Sequence, residues 1–133
     1  MSAFTHTLRV RYNECDPQGI VFNANYLTFL DLTVTELWRE RVGGYQHFVE
    51  ETGTDIVVAE ASLRFRAAAR FDDEIAITLH PELTSESSIT TQFTIERDGT
   101  RLIEGTIRHV CVDAQALTKV PAPARLRAAL DGR

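Results

Sequence analysis

The sequence predicts an α+β domain in which a five-stranded antiparallel sheet is wrapped around one long central helix. Three observations lead to it. One stretch, from about Asn23 to Val42, carries helical periodicity; five others alternate apolar and polar residues with the period of a strand; and the connections after the helix are short enough to favour antiparallel pairing. One amphipathic helix cannot cover both faces of five strands, so the sheet curls around it and leaves an uncovered face and an open edge that invite a second subunit. With 133 residues, 44% hydrophobic and 25% charged, the whole chain is one domain around one core. At this size roughly 65 to 70% of the unfolded surface is buried, so no disulfide or metal is needed for stability.

The elements follow in order. From Thr5 to Tyr12, Leu8, Val10 and Tyr12 share one face and Thr7, Arg9 and Arg11 the other, the pattern of a half-buried strand. Asp16-Pro17 and Gly19 then break regular structure and define a loop from Asn13 to Phe22. In the helix, Leu27, Leu30, Val34, Leu37 and Trp38 recur at three- and four-residue spacing, and Tyr26 and Phe29 widen the stripe. Asn23 or Asn25 is placed to cap its start and Gly43-Gly44 to stop it; 18 to 20 residues would span roughly 27 to 30 Å. After a short helical turn near Tyr45 to Glu51 come four strands. Val57, Ala59, Ala61, Leu63 and Phe65 mark the first, long enough to pair with neighbours along its whole length. Ile75, Ile77 and Leu79 mark the second, and Ile89, Thr91, Phe93 and Ile95 the third. Asp98-Gly99 joins that strand to Leu102 through Val112 as a tight hairpin. Pro121 to Leu130 makes a short terminal helix.

Charge and cysteine usage exclude several functions. The net charge is −5 and the basic residues are scattered, which argues against a nucleic-acid partner. Cys15 and Cys111 lie far apart, outside any CxxC spacing, and read as small buried or half-buried thiols. His6, His47, His80 and His109 show no paired ligand spacing, so no metal site is expected. There is no GxSxG elbow and no glycine-rich phosphate loop. No run of about 18 apolar residues and no apolar stretch of signal-peptide type occur, which predicts no membrane association and a cytoplasmic location.

The most informative stretch runs from Tyr12 to Tyr26 and reads YNECDPQGIVFNANY. It sets an aspartate in a constrained loop seven residues before a long helix whose first N–H groups have no intrahelical partner. Such N–H groups, at the positive end of the helix dipole, can stabilise an oxyanion. A carboxylate facing them is a minimal apparatus for acyl transfer. Asp before Pro is also an ordinary turn residue, and both readings stand at this level.

The stretch Asp16-Pro-x-Gly-Ile-Val, followed by Asn25-Tyr26 where the long helix opens, resembles the hotdog-fold acyl-CoA thioesterases of the 4-hydroxybenzoyl-CoA thioesterase type. The likeness covers nearly the whole chain in element order, and its specificity is concentrated in residues 12 to 31. It implies a hotdog fold, an acyl-CoA substrate, coenzyme A only as part of that substrate with no further cofactor, and a homodimer or homotetramer. It also implies that Asp16 is nucleophile or general base and that a backbone N–H at or near Asn23 polarises the thioester carbonyl. Gly19 would let the loop turn tightly toward the helix. Phe22, Asn25, Tyr26 and Phe29 would lie around the acyl end, and Arg64, Arg66 and Arg70 are candidates for the nucleotide phosphates. Broad-range bacterial relatives carry histidine where this chain has Asn23; the Asp-Pro and Asn-Tyr signatures are closer to the aromatic-acyl branch. Two alternatives remain: an acyl-thioester hydratase or dehydratase, which would pair a histidine with the carboxylate, and a non-catalytic acyl-CoA-binding module.

Overall fold

The computed structural model describes residues 3–131. Its elements run β1 (Phe4–Arg9), a single 3-10 turn (Tyr12–Glu14), α1 (Asn25–Val42), α2 (Tyr45–Thr52), β2 (Thr54–Phe65), β3 (Glu74–Leu83), β4 (Ser88–Arg97), β5 (Thr100–Asp113) and α3 (Ala124–Leu130). The five strands form one antiparallel sheet in the order β1-β3-β4-β5-β2. The first two strands therefore occupy opposite edges, and α1, which joins their ends of the chain, crosses the sheet between them.

Alternation within the central strands decides which face receives α1. Ile75, Ile77 and Leu79 of β3, Ile89, Phe93 and Ile95 of β4, and Ile103, Ile107 and Cys111 of β5 are buried in one cluster with Tyr26, Phe29, Leu30, Val34, Leu37, Trp38 and Val42 of α1. Each fully buried Leu or Ile contributes about 1.5–3 kcal/mol of transfer free energy. That packing, more than helix propensity, holds α1 in place. The Asp98-Gly99 turn has positive φ at both residues, 51° and 79°, the signature of a type I′ turn whose twist matches its strands.

Four features differ from the sequence reading. Tyr12, expected on the inward face of β1, is 80% exposed, because the strand ends at Arg9 and the chain tightens into the 3-10 turn. Neither Asn23 nor Asn25 caps α1: the N-cap is Ala24, without a side-chain bond, and the Asn25 amide instead donates to the Glu14 carbonyl at 2.8 Å. Leu27, expected in the core stripe, is 45% exposed, since it lies on the flank of the helix that no strand covers. β2 pairs only with β5, and most of it is exposed on both faces.

Gly105 sets how closely β2 approaches β5. A Cβ there would lie 1.9 Å from the Ser62 carbonyl oxygen and 3.1 Å from Cζ of Phe93, so backbone would have to move to admit even a methyl group. Gly105→Ala should therefore destabilise the domain by at least the ~1–3 kcal/mol typical of overpacking. A chemical denaturation curve superimposable on that of the unaltered protein would contradict the close approach.

Candidate active site

The loop after β1 is organised by Asp16 itself. Its Oδ1 accepts the Gln18 N–H at 2.8 Å, its carbonyl accepts the Gly19 N–H at 2.9 Å, and its own N–H donates to the Ile20 carbonyl at 2.9 Å. Gly19 closes this turn at φ +81°, a conformation that a side chain would strain. The turn-residue reading of Asp16 is thus true of one carboxylate oxygen. For Oδ2 no hydrogen-bond partner occurs among the described residues. The half-buried Asp16 lines a recess of about 250 Å³ together with Ile20, Asn23, Tyr26, Phe65 and Arg66.

The start of α1 forms the facing wall. The Asn25 N–H donates to the Phe22 carbonyl at 2.8 Å and the Tyr26 N–H to the Asn23 carbonyl at 3.3 Å, so both are used in closing the first turn. The N–H groups of Asn23 and Ala24 have no such partner among the described residues, and both residues are exposed. The segment after β2 closes the site from above. Its Ala69 carbonyl accepts the Val21 N–H at 2.9 Å, its Ala69 N–H donates to the Tyr26 hydroxyl at 3.1 Å, and Ile20 pairs with Arg70 in a β-bridge. Burial raises the Tyr26 hydroxyl pKa above its ordinary value, against the lowering effect of the Ala69 bond, so it stays protonated.

Of the residues singled out from sequence, the recess unites Asp16, Asn23, Tyr26 and Arg66, with Gly19 shaping the turn beneath. Asn25 is engaged with the loop backbone. Phe29 is buried in the core, edge-on to Tyr26 at 6.0 Å, and Phe22 is 48% exposed outside the recess lining. Arg66 donates to Glu104 at 2.9 Å, which with Arg101 holds that carboxyl down at about 2. Arg70 is exposed, and Arg64 lines a separate hollow with His80, Gln92 and Arg101.

Sequence reasoning missed Phe65 and the Ala67-Ala68 segment as walls of the recess. The signal was available in three consecutive alanines after a strand, which permit close backbone approach. It also missed a groove of about 400 Å³ farther along α1, between that helix and β2, lined by Leu27, Asp31, Val34, Val58, Ile107 and His109. Among the described residues no cluster of His, Cys, Asp or Glu is arranged to hold a metal, and no helix is long and apolar enough to cross a membrane.

Residues 10–130 match the model of the thioesterase-like superfamily. An Escherichia coli protein named acyl-CoA thioester hydrolase YbgC is 32% identical over 83% of this chain and 82% of its own. A Haemophilus influenzae protein named acyl-CoA thioesterase YbgC is 27% identical over 96% of this chain and 94% of its own. Among solved structures, a thioesterase superfamily protein from Jannaschia superposes with a TM-score of 0.90 at 25% identity, covering 99% of this chain and 93% of the other. The superposition agrees with the hotdog architecture of five antiparallel strands around one helix.

His109 supplies a pH test of the groove. It is 5% exposed, and burial lowers its pKa, only partly offset by the Asp31 carboxylate. A histidine with a depressed folded pKa takes up its proton first in the unfolded chain, near pH ~6.5, so stability falls as the solution is acidified through that value. The thermal midpoint should drop between pH 7.5 and 5.5, and by less in His109→Gln. An identical drop in both proteins would show that His109 is not held neutral by burial.

Proposed function

The chain belongs to the thioesterase-like superfamily, and from that premise we propose that it hydrolyses an acyl-CoA thioester to the free acid and coenzyme A. Asp16 is the nucleophile or general base. The observation that carries this reading is a recess lined both by Asp16, one of whose carboxylate oxygens is uncommitted, and by Asn23 just before α1. A thioester carbonyl bound there has an attacking or water-activating oxygen on one side. For the oxyanion it has a backbone N–H at or near Asn23, at the positive end of the helix dipole. If Asp16 attacks directly, a mixed anhydride forms as the thiolate leaves, and water then cleaves it; if it acts as base, it removes the proton of the attacking water.

Hydrolysis is favoured over hydration because no histidine is among the residues lining the Asp16 recess. The names of the Escherichia coli and Haemophilus influenzae relatives support the same substrate class. Tyr26 and Phe65, in edge contact at 5.8 Å between ring centroids, make one side of the recess aromatic, suited to a flat aromatic or short-to-medium acyl group. Arg66, at the rim, is better placed than Arg64 to meet the nucleotide phosphates, with Arg70 near it in the chain. The cytoplasm is the proposed location, and no cofactor beyond the substrate's own coenzyme A enters this scheme.

Asp16→Asn should preserve the fold, since the near-isosteric amide still accepts the Gln18 N–H, while lowering kcat by about 10²-fold or more. Release of free thiol from benzoyl-, phenylacetyl-, butyryl- and palmitoyl-CoA should favour the first three. Turnover by the variant near that of the unaltered enzyme would remove Asp16 from the mechanism, and a preference for palmitoyl-CoA would overturn the account of the acyl group.

Assembly is proposed on the exposure of β2. Its outer edge is unpaired, and Val57, Val58 and Phe65 are 37%, 57% and 54% exposed, with Leu27 and Leu32 of α1 also uncovered. An edge of this length is a template for pairing, and a second copy related by a two-fold axis would satisfy it. The smallest active unit should be a homodimer and the solution form a homotetramer. Light scattering that finds an active monomer at assay concentration would contradict this.

A further inference from the structure

The two halves of the recess hang on one backbone residue, Ala69, which is fully buried. Its carbonyl holds the Asp16 turn through Val21, and its N–H holds the helix start through the Tyr26 hydroxyl. Ala69 lies just beyond the end of β2, outside the ladder that would fix a strand residue.

Something else restrains it. The Arg97 guanidinium, at the end of β4, donates to the Ala68 carbonyl at 3.1 Å and to Asp73 Oδ2 at 2.7 Å from the same nitrogen. Asp73 Oδ2 also accepts the Arg70 N–H at 2.8 Å, and the Asp73 carbonyl accepts the Val10 N–H at 2.8 Å. Residues 68 and 70, on either side of Ala69, are thereby tied to β4, and Asp73 ties the segment to the end of β1. Burial pushes the Asp73 carboxyl pKa upward, but the Arg70 N–H and the Arg97 guanidinium outweigh it and leave it below the usual range. Both side chains of the pair are mostly buried, 30% and 23% exposed, where a charge-assisted bond is short and directional.

We propose that Arg97 and Asp73 are positioning residues for the hydrolytic site: their ion pair fixes the 68–70 backbone, and through Ala69 it sets the spacing between the Asp16 carboxylate and the N–H groups at the start of α1. This rests on the assignment of Asp16 above. Neither residue lines the recess, which sets both apart from the Asp16 carboxylate and the wall it faces. The consequence is a split in kinetic effect. Substrate binding draws on the whole rim and tolerates a small shift. Attack on the carbonyl requires carboxylate and oxyanion donors in register, where a displacement of about 1 Å can cost 10²-fold.

The test uses the full chain in its native assembly, with steady-state thiol release measured well below each variant's thermal midpoint. Arg97→Gln and Asp73→Ala should each lower kcat by about 10-fold or more with KM changed less than about 3-fold, the pattern of a transition-state interaction lost. Arg97→Lys, which keeps the charge and one donor direction, should recover part of kcat. Tyr26→Phe, which removes the acceptor for the Ala69 N–H, should show the same split and remains informative should Arg97→Gln fail to fold. Arg125→Gln is the stability control: it removes bonds to Glu51 and the Val42 carbonyl, on the α2–α3 side and apart from the recess. It should lower the thermal midpoint while leaving kcat within about 2-fold. Unchanged kcat in Asp73→Ala and Tyr26→Phe, and in Arg97→Gln where it folds, or an equal loss in Arg125→Gln, would overturn the positioning role. Failure of the underlying assignment reads differently, as full activity in Asp16→Asn.

Discussion

A helix about 10 to 12 Å across cannot screen five strands that, at about 4.7 to 4.9 Å spacing, extend over roughly 19 Å. Here α1 settles over β3, β4 and β5, where Ile75, Ile77, Ile89, Ile95 and Ile103 are fully buried. The shortfall falls on β2. That strand keeps only one partner, and its apolar residues stay partly exposed. The same limit leaves Leu27 uncovered on the helix flank and opens the groove between α1 and β2. An incomplete cover thus leaves both an exposed apolar surface and an open groove beside the helix.

The position of the recess follows from topology. β1 and β2 occupy opposite edges, so the chain leaving β1 must turn sharply before α1 can cross the sheet. The turn is built from the hydrogen bonds of Asp16 and the positive φ of Gly19, and it leads to Asn23 and Ala24, just before α1, whose N–H groups have no hydrogen-bond partner among the described residues. A carboxylate and the positive end of a helix are brought together as a geometric by-product of reversing the chain. The segment after β2 returns to the same place because β2 runs antiparallel to β5 and finishes near the helix start. Its alanines let the backbone come close enough to bond Val21 and Tyr26.

The proposed mechanism gives Asp16 two tasks that could conflict. Holding the turn consumes hydrogen-bonding capacity, and a carboxylate fully satisfied by backbone donors would be a poor nucleophile or base. That mechanism avoids the conflict by dividing the oxygens: Oδ1 binds the Gln18 N–H, while Oδ2 has no hydrogen-bond partner among the described residues. In the proposed mechanism the residue that builds the rigid turn is therefore also the one that supplies the carboxylate.

The sequence alone determined the features that depend on local periodicity and local backbone preference. The alternation of β3, β4 and β5, the hairpin at Asp98-Gly99, the stop of α1 at Gly43 and the constrained loop around Asp16 could all be read from neighbours in the chain. So could the juxtaposition of Asp16 and Asn23, seven residues apart. What the tertiary structure decided is set by contacts between distant segments. Leu27 and the alternating residues of β2 carry the same pattern as buried ones, and only the reach of α1 left them exposed. Phe29 and Tyr26 read alike on the helix, but only Tyr26 meets the recess, where the Ala69 N–H, from 43 residues away, donates to its hydroxyl. Arg64 and Arg66 are two residues apart, yet they line different hollows, because β2 ends between them at Phe65. Periodicity says which side chains share a face; which faces are covered, and by what, depends on long-range packing that no local pattern encodes.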